Sequence, residues 1–290
     1  MNKLLLTLSL MITFSAHAYF HYPEERNYTS ADRGYTQYGA PSLHHTGKYA
    51  LTFDDGPHPV YTAKILDFLK ARNLKATFFI ITTNVNEKTF PLVKRMLDEG
   101  HILASHGLSH DNSNNITRSA WKARVKQSFI DLAALHKRAG HIQDKFYYRF
   151  PYAAYGERQD HHHMNTLKEI SKELMGDNCI HFTFWDHDSS DWVPGMTAAE
   201  VAQNFKATNE GGKYTTYKTV RNSAGKLVQI KVRKDITNPL SGGVVLQHDI
   251  QLSSVEGTKQ ILDYVVNNNL EIVPLNDVEE FKITKNCRMK

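Results

Sequence analysis

Between residues 49 and 273, short apolar runs alternate with segments of helical periodicity, and few folds satisfy that pattern. Largely apolar runs lie at 49–53, 76–81, 102–104, 146–150, 180–185, 244–247 and 271–273. Helical spacing fills 59–73, 87–99, 117–138, 161–175, 197–207 and 258–266. Gly100, Gly140 and Gly176 stand at the ends of three helical segments, where a stop signal belongs. Strands buried on both faces read as near-continuous apolar runs, so repeated strand–helix units predict an α/β fold on a parallel sheet, either open or closed into a barrel. One stretch departs from the rule. Residues 213–220 and 227–232 alternate in type around Asn222-Ser223-Ala224-Gly225, which predicts an inserted β-hairpin at about 213–233, either a lip over a groove or a surface decoration.

The N-terminus reads differently. Lys3 precedes an apolar run from Leu4 to Phe14, and Ala16-His17-Ala18 supplies a small-x-small cleavage pattern. As a helix that run rises only about 16 Å, roughly half a bilayer core, so it is too short to span. Residues 1–18 are therefore expected to be a signal peptide and 19–46 an N-terminal extension. The mature chain is expected to be exported, periplasmic or secreted, with no membrane anchor. Lys plus Arg number 35 against 30 Asp plus Glu, a net +5 that reads as spread along the chain, so no nucleic-acid partner is expected. A mean hydropathy of −0.48 excludes a polytopic membrane protein. Cys179 and Cys287 either pair, pinning the C-terminal tail to the body, or remain apart as a buried and a free thiol; sequence does not choose. His161-His162-His163 reads as a solvated helix start, because adjacent helical residues point about 100° apart and do not share a metal.

Polar residues gather where the apolar runs end. The first run leads into Asp54-Asp55-Gly56-Pro57, and two carboxylates leaving a buried strand are costly unless a cation or hydrogen bonds satisfy them. His106 and His110 follow the third run; at i and i+4 they share one face of a helical turn and can reach one metal. With a strand-end carboxylate they would make a two-His, one-carboxylate site with open positions. Arg149-Phe150-Pro151-Tyr152, Asp188-Ser189-Ser190-Asp191-Trp192 and Leu246-Gln247-His248 lie at or just after later run ends. In parallel α/β proteins, sites are built at the C-terminal ends of strands.

This ordered series, spread over residues 49–248, resembles the polysaccharide deacetylases of carbohydrate esterase family four. The resemblance implies a distorted barrel of seven or eight βα units within a catalytic domain at 47–285. It implies that Asp55, His106 and His110 bind a divalent metal, usually zinc, with cobalt an alternative. Asp54 would be the general base held by Arg149, and His248 the general acid tuned by Asp191. Trp192 and Leu246 would wall a pocket for the acetyl methyl, and the Tyr152 backbone N–H would help hold the oxyanion. The implied activity is hydrolytic removal of N-acetyl groups from N-acetylglucosamine-type residues of a polysaccharide. Peptidoglycan is the first candidate, then chitin or an exopolysaccharide, with acetylxylan ester cleavage as a variant; no protein partner is expected.

Several positions depart from the family pattern: Gly107 stands where Ser or Thr is common, Ala153 where Gly often follows, and Ile81-Thr82-Thr83-Asn84 replaces a Gly-containing loop. These put the glycan in doubt, not the reaction. A non-catalytic glycan-binding protein would lack a ligand or the base, and all are present. A mononuclear iron oxygenase would use similar ligands on β-sandwich strands, which the strand–helix alternation opposes.

Overall fold

The computed structural model describes residues 39–155 and 162–290. The expected signal peptide, most of the 19–46 extension and His161 lie outside the described residues. In chain order the elements are β1 (Lys48–Asp54), α1 (Tyr61–Ala71), β2 (Thr77–Ile80), α2 (Phe90–Asp98), β3 (Ile102–Ser105) and α3 (Arg118–Ala139). They continue with β4 (Tyr147–Tyr148), α4 (His162–Met175), β5 (His181–Phe182), β6 (His187–Asp188) and α5 (Ala198–Glu210). The hairpin β7 (Gly212–Arg221) and β8 (Leu227–Ile236) then precedes β9 (Gly243–His248), α6 (Leu252–Asn267) and β10 (Glu271–Ile272).

The main sheet has the order β5-β4-β3-β2-β1-β9-β6, with β10 also paired to β1, and all its pairs are parallel. Its strands are apolar because both faces are covered: Leu51, Phe53, Phe78, Phe79, Leu103 and Val245 are buried. The helices bury stripes at helical spacing against it, such as Ile65, Leu66 and Leu69 of α1 and Val125, Phe129 and Leu132 of α3. Thr117 and Thr197 cap the N-termini of α3 and α5.

The sheet is curled. Arg149, one residue past β4, touches Thr52 and Asp54 of β1 and lies over Phe79 of β2, although β3 separates β4 from β2. Only a sheet wrapped around that side chain allows this. Strands β5 and β6 form the two edges, and residues 183–186 cross between them: Thr183 N–H donates to Tyr148 O and Asp186 N–H to Val244 O. This is the expected distorted barrel, closed by a linking segment instead of a strand pair. That crossing shortens the strand expected over 180–185 to two residues, because the chain must leave β4 and join β9.

Two further expectations resolve. Cys179 and Cys287 form a disulfide that ties the C-terminal tail to the start of β5, with Cα atoms 6.0 Å apart. His163 is fully buried, so it is not part of a solvated helix start. Its ring stacks on Trp121 and its Nε2 lies 2.8 Å from Ser113 O. Of the N-terminal extension, Ala40 and Leu43 are buried, and Ala40 N–H and His44 both bond to the buried Asp186 carboxylate.

Candidate active site

Asp54 is the last residue of β1 and sits opposite His248, the last residue of β9. Consecutive residues of a strand point to opposite faces, which would send Asp54 and Asp55 apart. Asp55 breaks the alternation with a left-handed φ of 78°, and both carboxylates turn toward His106. Gly56 is required next: a Cβ there would fall 2.2 Å from the Asp249 carboxylate.

His106 and His110 do meet, but not on a helix. Residues 106–110 form an irregular loop after β3. Gly107 adopts a φ of 98°, a conformation open to glycine and strained for Ser or Thr. His106 Nε2 and His110 Nε2 each lie 3.3 Å from Asp55 Oδ1, and the three donor atoms fall within 4.8 Å of one another. His106 Nδ1 lies 2.9 Å from the Arg149 carbonyl, which can only accept. In the neutral ring the proton therefore sits on Nδ1, which frees Nε2 to present a lone pair to a cation.

These donors fit a divalent cation. Two ligands of a tetrahedral ion held at about 2.0–2.1 Å stand about 3.4 Å apart, close to the separations here. Asp55 Oδ1 is buried without a hydrogen-bond partner, an orphan that a cation would satisfy. Burial alone would raise the Asp55 pKa, but His106, His248 and His110 hold it well below the usual carboxylate range, leaving an anion ready to bind a metal.

On one side of this cluster, the fully buried Arg149 guanidinium donates from Nη1 to Asp54 Oδ1 at 2.8 Å and to Thr52 Oγ1 at 2.7 Å. It also donates to the carbonyls of Thr183 at 3.2 Å and Phe184 at 3.1 Å. On the other side His248 Nδ1 lies 2.7 Å from Asp191 Oδ1, and His248 N–H donates to Asp191 Oδ2. Burial would lower the His248 pKa, yet Asp191, Asp55 and Asp54 together push it up to about 10, so the ring is cationic at neutral pH.

The remaining sequence-predicted residues lie on the segments that carry these groups. Tyr152 is exposed, with its ring 4.4 Å from that of His110. Leu246 is buried on β9 opposite Asp188, whose carboxylate accepts from Trp192 Nε1. Three supporting residues had no assigned role in the sequence. Thr52 passes the contact on by donating to Val245 O, and Thr183 holds the far side of Arg149. Asp249 is completely buried against Gly56 and accepts from Thr62 Oγ1. Burial, and after it the Asp55 charge, pushes its pKa up to about 7. Its signal was a carboxylate directly after an apolar strand, the same signal that exposed Asp55.

The polysaccharide deacetylase family profile matches residues 44–169, which contain Asp54, Asp55, both histidines and Arg149. The chain is 27% identical over 229 residues to the peptidoglycan-N-acetylglucosamine deacetylase of Bacillus cereus, covering 79% of this chain and 66% of that protein. It is 28% identical over 233 residues to the peptidoglycan-N-acetylmuramic acid deacetylase PdaC of Bacillus subtilis, covering 80% of this chain and 39% of that one. The chain thus spans between two fifths and two thirds of the length of these relatives. The fold agrees with the crystal structure of the Bc1960 peptidoglycan N-acetylglucosamine deacetylase at a TM-score of 0.58, over 86% of this chain and 94% of that one at 24% identity. With a curled parallel sheet whose strand ends gather these motifs, the chain has the deacetylase fold, and its residues 44–169 match the polysaccharide deacetylase family.

Proposed function

We propose that this protein is a zinc-dependent hydrolase that removes N-acetyl groups from N-acetylglucosamine-type residues of a polysaccharide, with peptidoglycan as substrate. The observation that carries the reading is the order of groups across the cleft: Asp54 with Arg149, then Asp55 with His106 and His110, then His248 with Asp191. Two imidazoles and one carboxylate suit zinc, with cobalt an alternative, and leave positions for water and substrate.

An acetamide is a poor electrophile with a poor leaving group. A bound divalent ion would polarise its carbonyl and acidify a neighbouring water. Asp54, oriented by Arg149, takes the proton from that water. His248, cationic and aligned by Asp191, gives a proton to the departing nitrogen, so acetate and a free amine leave. The Tyr152 N–H assists at the developing oxyanion, and Trp192 and Leu246 receive the acetyl methyl.

The two Bacillus relatives, both peptidoglycan deacetylases, support peptidoglycan as the polymer. The apolar run from Leu4 to Phe14 with Ala16-His17-Ala18 supports export to it. The test is release of acetate from purified peptidoglycan, chitin oligosaccharides and acetylxylan by the metal-loaded protein. Acetate from the first, with new free amines on its glucosamine, is expected. Acetate from acetylxylan alone would make the protein an ester hydrolase, and none from any substrate would refute the catalytic reading.

A further inference from the structure

The positive charge is not spread evenly, contrary to the sequence reading. Strands β7 and β8 and their turn carry seven Lys and Arg against a single acid, Asp235. Their net charge of seven minus one exceeds the +5 of the whole chain, so the rest of the molecule is slightly acidic. Pairing of the two strands gathers onto one ribbon what the sequence separates.

The root of the ribbon is fixed beside the catalytic cleft. Tyr214 hydroxyl donates to the Asp188 carbonyl. The Tyr217 ring meets Trp192 edge-on at 4.9 Å, and Trp192 follows the Asp191 that holds His248. Opposite Tyr217, Lys231 donates to the Gly195 carbonyl and pairs with Glu200 at 2.9 Å. Beyond that level Lys218, Thr219, Arg221, Leu227, Gln229 and Ile230 are exposed on both faces. From Tyr217 to the turn at Asn222 the ribbon extends by about 17 Å at about 3.4 Å per residue.

This outer half is built at a cost. A two-stranded ribbon without a covered face is marginally stable, and like charges repel along it. Among the described residues, Lys218, Arg221 and Lys226 have no acidic side chain within ion-pair distance. A polyanion alongside would neutralise them, and the polymer whose sugar occupies the cleft lies nearest.

We propose that the β7–β8 ribbon is a cationic arm that holds carboxylate-bearing stretches of the glycan strand beside the catalytic cleft. This rests on the peptidoglycan reading, since carboxylates of the stem peptides stud that polymer whereas chitin is uncharged. Lys218, Arg221 and Lys226 supply free charge, and the Tyr217–Trp192 pair forms the apolar step from arm to cleft. The arm lowers KM for polymer and leaves the chemical step alone.

The test compares the wild-type chain with a Lys218→Glu, Arg221→Glu, Lys226→Glu variant, and with a Lys218→Arg, Lys226→Arg control that keeps the charge. Co-sedimentation with purified peptidoglycan sacculi stripped of attached phosphate polymers is measured beside neutral chitin particles, duplex DNA and anionic lipid vesicles. Charge reversal is expected to weaken sacculus binding by roughly tenfold or more at low salt, and the control to retain it. Wild-type binding should fall as the screening length contracts from about 10 Å at 0.1 M salt to about 3 Å at 1 M. On sacculi the variant should raise KM with kcat unchanged, while turnover of a soluble neutral oligosaccharide stays at the wild-type rate. Equal sacculus binding by wild type and charge-reversal variant, or wild-type binding to chitin as strong as to sacculi, overturns the arm. So does tighter binding to DNA or vesicles than to sacculi. Failure of the deacetylase reading is seen separately, as absent oligosaccharide turnover, because sedimentation needs no catalysis.

Discussion

Replacing Arg149 with methionine removes a buried countercharge while keeping much of the side-chain stem. In the native structure the guanidinium is fully buried, and Asp54 beside it is 2% exposed. The substitution strips Asp54 of its cation and leaves Thr52, Thr183 O and Phe184 O each short of a donor. Breaking one side of a buried ion pair costs about 3–5 kcal/mol, a large part of a typical domain's stability of about 5–15 kcal/mol. The reverse change, Asp54→Asn, leaves the guanidinium four other acceptors and an amide oxygen, so it should cost much less. The double variant should then be more stable than the two single losses predict, because no unpaired carboxylate remains. Urea unfolding followed by circular dichroism and tryptophan fluorescence, with slopes compared across the four proteins, measures the coupling. A loss below about 1 kcal/mol for Arg149→Met, or strict additivity in the double variant, would show that Asp54 does not depend on this contact.

Asp54→Asn should retain bound metal, measured by elemental analysis, and lose about 10²–10⁴ in turnover, the usual worth of a general base. Asp191→Asn removes the largest group raising the His248 pKa, so the alkaline limb of kcat/KM should move down by more than about one pH unit, which a pH–rate profile reads. The sign follows from a pKa raised from 6.5 to about 10: the stability this ion pair contributes is complete below 6.5 and fades as pH climbs toward 10. Replacing Cys179 and Cys287 by serine opens a loop of 108 residues, worth about 4.7 kcal/mol in a chain-entropy account; denaturant unfolding with and without reductant checks it.

Much of the site was legible because it lies at strand ends. Asp54 and His248 close β1 and β9, so apolar runs that stop on polar residues marked one end of the barrel. What sequence hid was carried by backbone geometry. The helical-turn reading brought His106 and His110 together for the wrong reason, since a loop with Gly107 at positive φ joins them. The two-residue β6 was invisible as a separate strand because its pairing with β9 is set by a neighbour 58 residues away in sequence, not by local pattern. Thr52 and Thr183 looked like ordinary β-branched strand residues, and only the path of Arg149 through the barrel gives them work. The cationic ribbon escaped notice because alternation scatters its charges among Thr, Val and Gln until the strands pair.

The central claim is that Asp55, His106 and His110 hold one divalent ion on which deacetylation depends. It is tested most directly by stripping the protein with chelator, titrating zinc back, and recording bound metal and acetate release from a chitin oligosaccharide in parallel, for wild type and His110→Ala. Wild type is predicted to take up one ion per chain, with acetate release rising in step. The variant, left with two of three protein ligands, should show neither tight uptake nor turnover. Full zinc occupancy and undiminished acetate release in His110→Ala would contradict the account.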